Sequence, residues 1–275
     1  FNSGALGKDF VVFFILISLS CSKSSNPKTI DPPPTNTVIP SYELAWQDNF
    51  DAPKLDLSNW YHRYPGVRHD GFNDTTTVST DGLGNLIIKV YSDTIAGNIK
   101  HHTGMVATTK EYKFGKWEVR AAFINKSGSW SAYWLQSATM GSPIGNPQLA
   151  GMEIDVVETL HNDGRVHQNI HWDGYDVNHK KAGFITGDLG ANSGAYHIYT
   201  LEWTPTFYKF FVDGALTWTY TANISQRSEF MILSSEVKNY AIGSWAGPIN
   251  AGGFGTFKNS QTIMKVDYVK YYKLL

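Results

Sequence analysis

The segment Gly151-Met152-Glu153-Ile154-Asp155-Val156-Val157-Glu158 sets three carboxylates among apolar residues of strand type. Side chains of a regular strand alternate between faces, so Glu153 and Asp155 share one face while Ile154 and Val156 enter a core. Strict alternation then sends Glu158 to the core side, where an unpaired carboxylate is costly. One extra residue, a bulge at Val156-Val157, returns Glu158 to the face of Glu153 and Asp155. Two carboxylates about 5 Å apart suit double displacement at an acetal carbon, in which one attacks and the other gives and then takes back a proton. Asp155 between them raises a neighbour's proton affinity by like-charge repulsion, or shares a proton that orients the attacking group. The alternative is an inert acidic face on an edge strand, and repelling carboxylates flanked by strongly apolar residues make a poor one.

The elements that must position this segment read as strands. From Tyr42 onward no long stretch has helical periodicity, and short alternating runs are separated by Gly, Asn, Asp and Pro. Leu86-Ile87-Ile88-Lys89-Val90-Tyr91 follows the turn residues Asp81-Gly82-Leu83-Gly84-Asn85. Between Lys116 and Phe123, Trp117, Val119, Ala121 and Phe123 share one face, and Lys116, Glu118 and Arg120 the other. Tyr208 to Val212 and Ala215 to Tyr220 flank Asp213-Gly214, a hairpin turn whose central residues tolerate positive φ. Met264 to Tyr272 is a closing strand. The pattern predicts an all-β jelly-roll sandwich of two packed antiparallel sheets, without internal repeats.

A net charge of -1 offers no concentrated positive field, which excludes nucleic acid as a partner and leaves a membrane only through an anchor. Nine Trp, fifteen Tyr and fifteen Phe are enough to fill a β core and still line a sugar cleft. Cys21 is the one cysteine, so neither an intramolecular disulfide nor a thiolate cluster is available. Lys8 precedes the apolar run from Phe10 to Leu19, which has the length of a secretory signal rather than a membrane span. Ser18-Leu19-Ser20-Cys21 resembles a bacterial lipobox, in which Cys21 would be lipidated, with leucine displaced by one position. An ordinary cleaved signal is the alternative. The Ser-, Thr-, Asn- and Pro-rich stretch that follows, including Pro32-Pro33-Pro34, reads as an extended tether. The expected organisation is a signal over 1–21, a tether over 22–40 and one domain over 41–275, an exported or surface-held monomer.

At Glu153, Asp155 and Glu158 the chain resembles glycoside hydrolase family 16, whose signature is Glu-x-Asp-x-Glu or the longer Glu-x-Asp-x-x-Glu present here. The similarity continues in Trp46-Gln47-Asp48-Asn49-Phe50-Asp51, with Asn49 where the family has Glu, and in Phe114-Gly115-Lys116-Trp117-Glu118-Val119-Arg120. It also includes Trp130-Ser131-Ala132-Tyr133-Trp134-Leu135, then Tyr196 to Pro205, then Phe211-Val212-Asp213-Gly214. The resemblance implies a concanavalin-like jelly roll with a cleft across its concave sheet. It implies Glu153 as nucleophile, Asp155 as its helper, Glu158 as acid/base, and Trp130 and Trp134 as a sugar platform. His171-Trp172 would approach the catalytic pair. The implied activity is retaining endo-hydrolysis of a β-linked polysaccharide.

The bulged signature resembles that of laminarinases, agarases, porphyranases and carrageenases. A β-1,3- or mixed β-1,3-1,4-glucan is the first expectation and a neutral or sulfated β-galactan or host glycan the second. Where laminarinases commonly have Asn-x-Ala-x-Gly-Gly, this chain has Leu233-Ser234-Ser235-Glu236-Val237, which places Glu236 among the candidate substrate contacts. Arg63 and Arg68, in the cationic stretch from His62 to His69, would meet sulfate esters, or else belong to a solvated loop. His161, His167, His171 and His179 lack zinc-type spacing, so no catalytic metal or other cofactor is expected. The resemblance allows a structural calcium on the convex sheet with Asp267 as a ligand. A non-catalytic carbohydrate-binding jelly roll would need the tryptophans but not three aligned carboxylates.

Overall fold

The computed structural model describes residues 39–238 and 245–275, so the apolar run, Cys21 and the Pro-rich stretch before residue 39 lie outside the described residues. Alternation of apolar side chains builds two sheets of antiparallel strands with one greasy face each. In the outer sheet, Val78–Thr80 and Leu86–Ile95 lead to Thr262–Leu274, then Gly115–Ile124, Tyr196–Trp203, Tyr208–Val212 and Ala215–Tyr220. Tyr42–Asp48 pairs with the far end of Thr262–Leu274. The inner sheet runs Trp60–His62, Asn98–Thr108, Phe230–Val237, Ser129–Gln136, Glu153–Glu158, Arg165–Trp172 and Lys180–Asp188.

Trp117, Val119, Ala121 and Phe123 are fully buried, as the alternation from Lys116 to Phe123 requires. They meet Tyr133, Leu135, Ile154, Val156, Val157, Val166 and Ile170 of the inner sheet in one core. Asp213 and Gly214 both have positive φ (51 and 80), so the hairpin turn has the expected backbone. The strand Ser129–Gln136 is buried on both faces: Tyr133 and Leu135 point to the core, whereas Trp130, Ala132, Trp134 and Gln136 point to the cleft. This parity is what delivers a row of side chains to the concave side.

Candidate active site

Glu153–Glu158 lies between Ser129–Gln136 and Arg165–Trp172, and both pairings record the bulge. Asp155 faces Trp134 and Val157 faces Tyr133, so Val156 has no counterpart on that side. On the other side Asp155 faces Asn169 and Glu158 faces His167. Three steps along one strand match two along its neighbour, and the one-residue excess sends Val156 and Val157 into the core together. Glu153, Asp155 and Glu158 line a common cleft of about 740 Å³.

Each carboxylate has its own donors. Gln136 Nε2 donates to Glu153 Oε2 at 2.9 Å, and the Tyr175 hydroxyl donates to the same oxygen. Asn169 Nδ2 donates to Glu158 Oε2 at 2.8 Å. His171 Nε2 lies 3.3 Å from Asp155 Oδ2, while its Nδ1 is 2.8 Å from His179 Nε2. Burial, then repulsion from Asp155, pushes Glu153 up to about 7, opposed by His171, Tyr175 and Arg68. Burial and the charge of Glu236 push Asp155 up, and burial followed by Asp155 holds Glu158 well above the carboxylate range. The two hydrogen bonds into Glu153 favour an anion there, and Glu158, with its strongly raised proton affinity, suits a proton donor. Ligand atoms of Glu153, Asp155 and His171 lie within 4.8 Å of one another, close enough to share a proton or a cation.

The other sequence candidates divide. Trp130 and Trp134 line the cleft beside the carboxylates, but each is only 5% exposed, so they wall the site rather than lie open as a platform. Trp134 Nε1 donates to Ser234 Oγ, and Trp130 meets the Trp245 ring edge-on at 5.9 Å. Arg68 and Glu236 line the cleft as an ion pair, Nε to Oε2 at 2.5 Å, with His69 3.7 Å from the same oxygen. Trp172 is a correction: it packs on the core and meets Tyr220, because neighbouring strand residues face opposite ways and His171 takes the cleft side. Arg63 lines the cleft wall and is buried there rather than set in a solvated loop; it donates to Gln136 Oε1 and to the Tyr64 hydroxyl and lies over the Phe230 ring. Asp267 lies on the outer sheet, outside the cleft lining, with Arg120 Nη1 2.5 Å from its Oδ2.

Sequence reading missed Gln136, Asn169, Tyr175, Lys181, Lys238 and Trp245 and gave no cleft role to His69 and His179, all of which line the cleft. Parity carries the signal for two of them: Gln136 follows Trp134 by two residues, and Asn169 precedes His171 by two. Tyr175 and Trp245 come from loops, where no periodicity points to them.

Residues 69–270 match the glycosyl hydrolases family 16, and the chain belongs to that family. It is 30% identical over 255 residues to a keratan-sulfate endo-1,4-beta-galactosidase of Sphingobacterium multivorum, covering 87% of this chain and 57% of that protein. It is 26% identical over 280 residues to glucan endo-1,3-beta-glucosidase A1 of Niallia circulans, covering 87% and 39%. The chain thus spans about half the length of these relatives. The fold is similar to a solved structure from work on endo-acting O-glycanases of the human gut microbiota, with a TM-score of 0.69 at 21% identity, covering 84% of this chain and 91% of that one.

Proposed function

We propose that this protein hydrolyses internal bonds of a β-linked polysaccharide with retention of configuration, with Glu153 as nucleophile and Glu158 as acid/base. The observation that carries the reading is the bulge at Val156, which lines Glu153, Asp155 and Glu158 on one cleft wall although strict alternation would separate them. In the first step a Glu153 oxygen bonds to the anomeric carbon while Glu158 gives its proton to the departing glycosidic oxygen. In the second, Glu158 takes a proton from water, the water oxygen bonds to that carbon, and the electron pair of the ester bond returns to Glu153. His171, held by His179, faces Asp155 and orients that carboxyl group between the two.

The first substrate reading is a β-1,3- or mixed β-1,3-1,4-glucan, supported by the ring-walled floor of Trp130, Trp134 and Trp245 and by the glucanase relative. A sulfated or neutral β-galactan is the second, supported by Arg68, Lys181 and Lys238 at the cleft and by the keratan-sulfate relative. Cys21 behind its apolar run supports surface anchoring through lipid. The test is reducing-end release on laminarin, lichenan, agarose, porphyran, carrageenan and keratan sulfate, with the new anomer followed by NMR in the first minutes. Glu153→Gln and Glu158→Gln each lower turnover by about three orders of magnitude or more with the thermal midpoint little changed. Near-normal turnover in either variant, or inversion at the new reducing end, sinks the assignment.

A further inference from the structure

The loop between Arg165–Trp172 and Lys180–Asp188 brings one side chain to the nucleophile, although nothing in its own sequence marks it. Asp173, at the base of the loop, is buried; it accepts from Gly145 N at 2.8 Å and from Lys180 Nζ at 2.7 Å. Gly141 sits so close to Gly174 that a Cβ there would meet the Gly174 Cα at 2.7 Å. From this anchored base Tyr175 reaches back over the cleft. It remains 58% exposed, yet its hydroxyl meets Glu153 Oε2.

The direction of each hydrogen bond is fixed by the chain of partners. Arg63 can only donate, so the Gln136 amide must turn its oxygen to Arg63 and its nitrogen to the cleft. That nitrogen donates to Glu153 Oε2 at 2.9 Å and to the Tyr175 oxygen at 2.5 Å. Having accepted from Gln136, the tyrosine hydroxyl directs its own proton at the carboxylate. Partial burial and the neighbouring Glu153 charge hold that hydroxyl in its protonated form. Two donors thus converge on Oε2 and leave the Oε1 side of the carboxylate for attack.

Resting on Glu153 as nucleophile, we propose that Tyr175 is a hydrogen-bond donor that stabilises the Glu153 carboxylate as it leaves the glycosyl-enzyme intermediate. While the intermediate exists, Oε1 is bonded to carbon and Oε2 is an ester carbonyl with little charge. In the second step the Oε1–carbon bond breaks and its electron pair returns to the carboxylate, so negative charge grows on the oxygen that Tyr175 and Gln136 address. A donor aimed where charge develops accelerates that step. In the first step the same oxygen loses charge, so the donor gives no comparable help there. Tyr175 therefore acts on breakdown of the intermediate rather than on its formation.

The experiment uses the dinitrophenyl β-glycoside of laminaribiose or of N-acetylglucosaminyl-β-1,3-galactose, whichever the wild-type chain turns over, so that a good leaving group makes the first step fast. Tyr175→Phe keeps the ring and removes the hydroxyl. The expected result is a kcat lower by about 10-fold, a KM lowered in parallel, kcat/KM unchanged or slightly raised, and a pre-steady-state burst of dinitrophenol. Mass spectrometry should find the glycosyl-enzyme accumulated in this variant. Tyr175→Ala should give the same burst, which shows that the ring adds nothing to the effect of the hydroxyl that Tyr175→Phe isolates. Wild-type constants without a burst in Tyr175→Phe overturn the inference. So does a raised KM at unchanged kcat, which would make Tyr175 a substrate contact. A Glu153→Gln variant that still turns over the glycoside overturns the reading beneath it and the inference with it, whereas an inactive one beside an unaltered Tyr175→Phe overturns the inference alone.

Discussion

Glu229 carries a buried carboxyl group that the proposed chemistry does not touch, yet it grips the catalytic strand. Its Oε1 accepts from the backbone N–H of Met152 at 3.0 Å, directly before Glu153. The side chain is fully buried. Burial pushes it up to about 8, with Glu111 and Glu153 adding to the rise, so it is held protonated in the folded protein. On unfolding it regains an ordinary glutamate pKa and releases that proton, so between about pH 4.5 and 8 the unfolded chain binds fewer protons. Stability therefore falls as pH rises through this window. Glu153, Asp155 and Glu158 pull in the same direction, since burial raises all three. Glu229→Gln keeps an oxygen for the Met152 N–H and removes the ionisation. Its thermal midpoint should match wild type near pH 5 and exceed it at pH 8 by the equivalent of a few kcal/mol. Midpoints of the two proteins that run parallel across that range would show that Glu229 is not held neutral. Nothing in Arg227 to Met231 marks this residue in the sequence. Its significance comes from Glu153–Glu158, a strand 70 residues or more away, through long-range packing that one-dimensional patterns do not carry.

At the scale of the element, the bulge decides the geometry, and it was legible because alternation is strict. Three carboxylates cannot share a face in Glu-x-Asp-x-x-Glu without an extra residue, and the extra residue is there, unmatched at Val156. The same rule exposes where the sequence reading failed. His171 and Trp172 are adjacent on one strand, so only one of them can face the cleft. Deleting Val157 tests what the bulge does. The deletion removes a fully buried side chain and draws the following residues out of register. Thr159 resists that shift, because its N–H and its hydroxyl both donate to Ser131 O, and the buried Asn125 amide donates to the same hydroxyl. The expected cost is on the order of 2–4 kcal/mol of stability. If the shift is absorbed after Glu158, the shorter Glu-x-Asp-x-Glu arrangement remains and turnover per folded molecule falls less than stability does. Thermal midpoint and turnover measured on one sample separate the two, and an unchanged midpoint with abolished turnover would make the bulge a device of catalysis alone.

At the scale of the whole molecule, composition indicated a β core with aromatic rings to spare, and the structure divides them. Trp60, Trp117 and Trp203 belong to the core and Trp46, Trp172 and Trp218 pack partly buried against it, while Trp130, Trp134 and Trp245 line the cleft. Charge was legible only as a sum, because a net value of -1 hides how the cleft is charged. Four carboxylates there, Glu153, Asp155, Glu158 and Glu236, face Arg63, Arg68, Lys181, Lys238 and three histidines. Arg68 is neutralised by Glu236, and Lys238 lies 3.8 Å from the centre of the Trp245 ring. A near-neutral chain exerts little long-range pull, so any dependence of turnover on salt reports the cations at the cleft. A neutral β-glucan approaches without a charge for salt to screen, and its kcat/KM should stay constant within about twofold between about 20 and 200 mM NaCl. A sulfated galactan brought in by Lys181 and Lys238 would lose several-fold over the same range, because the Debye length shortens to about 7–8 Å and exposed attractions weaken. Measuring kcat/KM against salt on laminarin, lichenan and keratan sulfate therefore reads the substrate class from electrostatics. A steep fall on the sulfated polymer, together with a higher kcat/KM on it at low salt, moves the assignment from glucan to galactan.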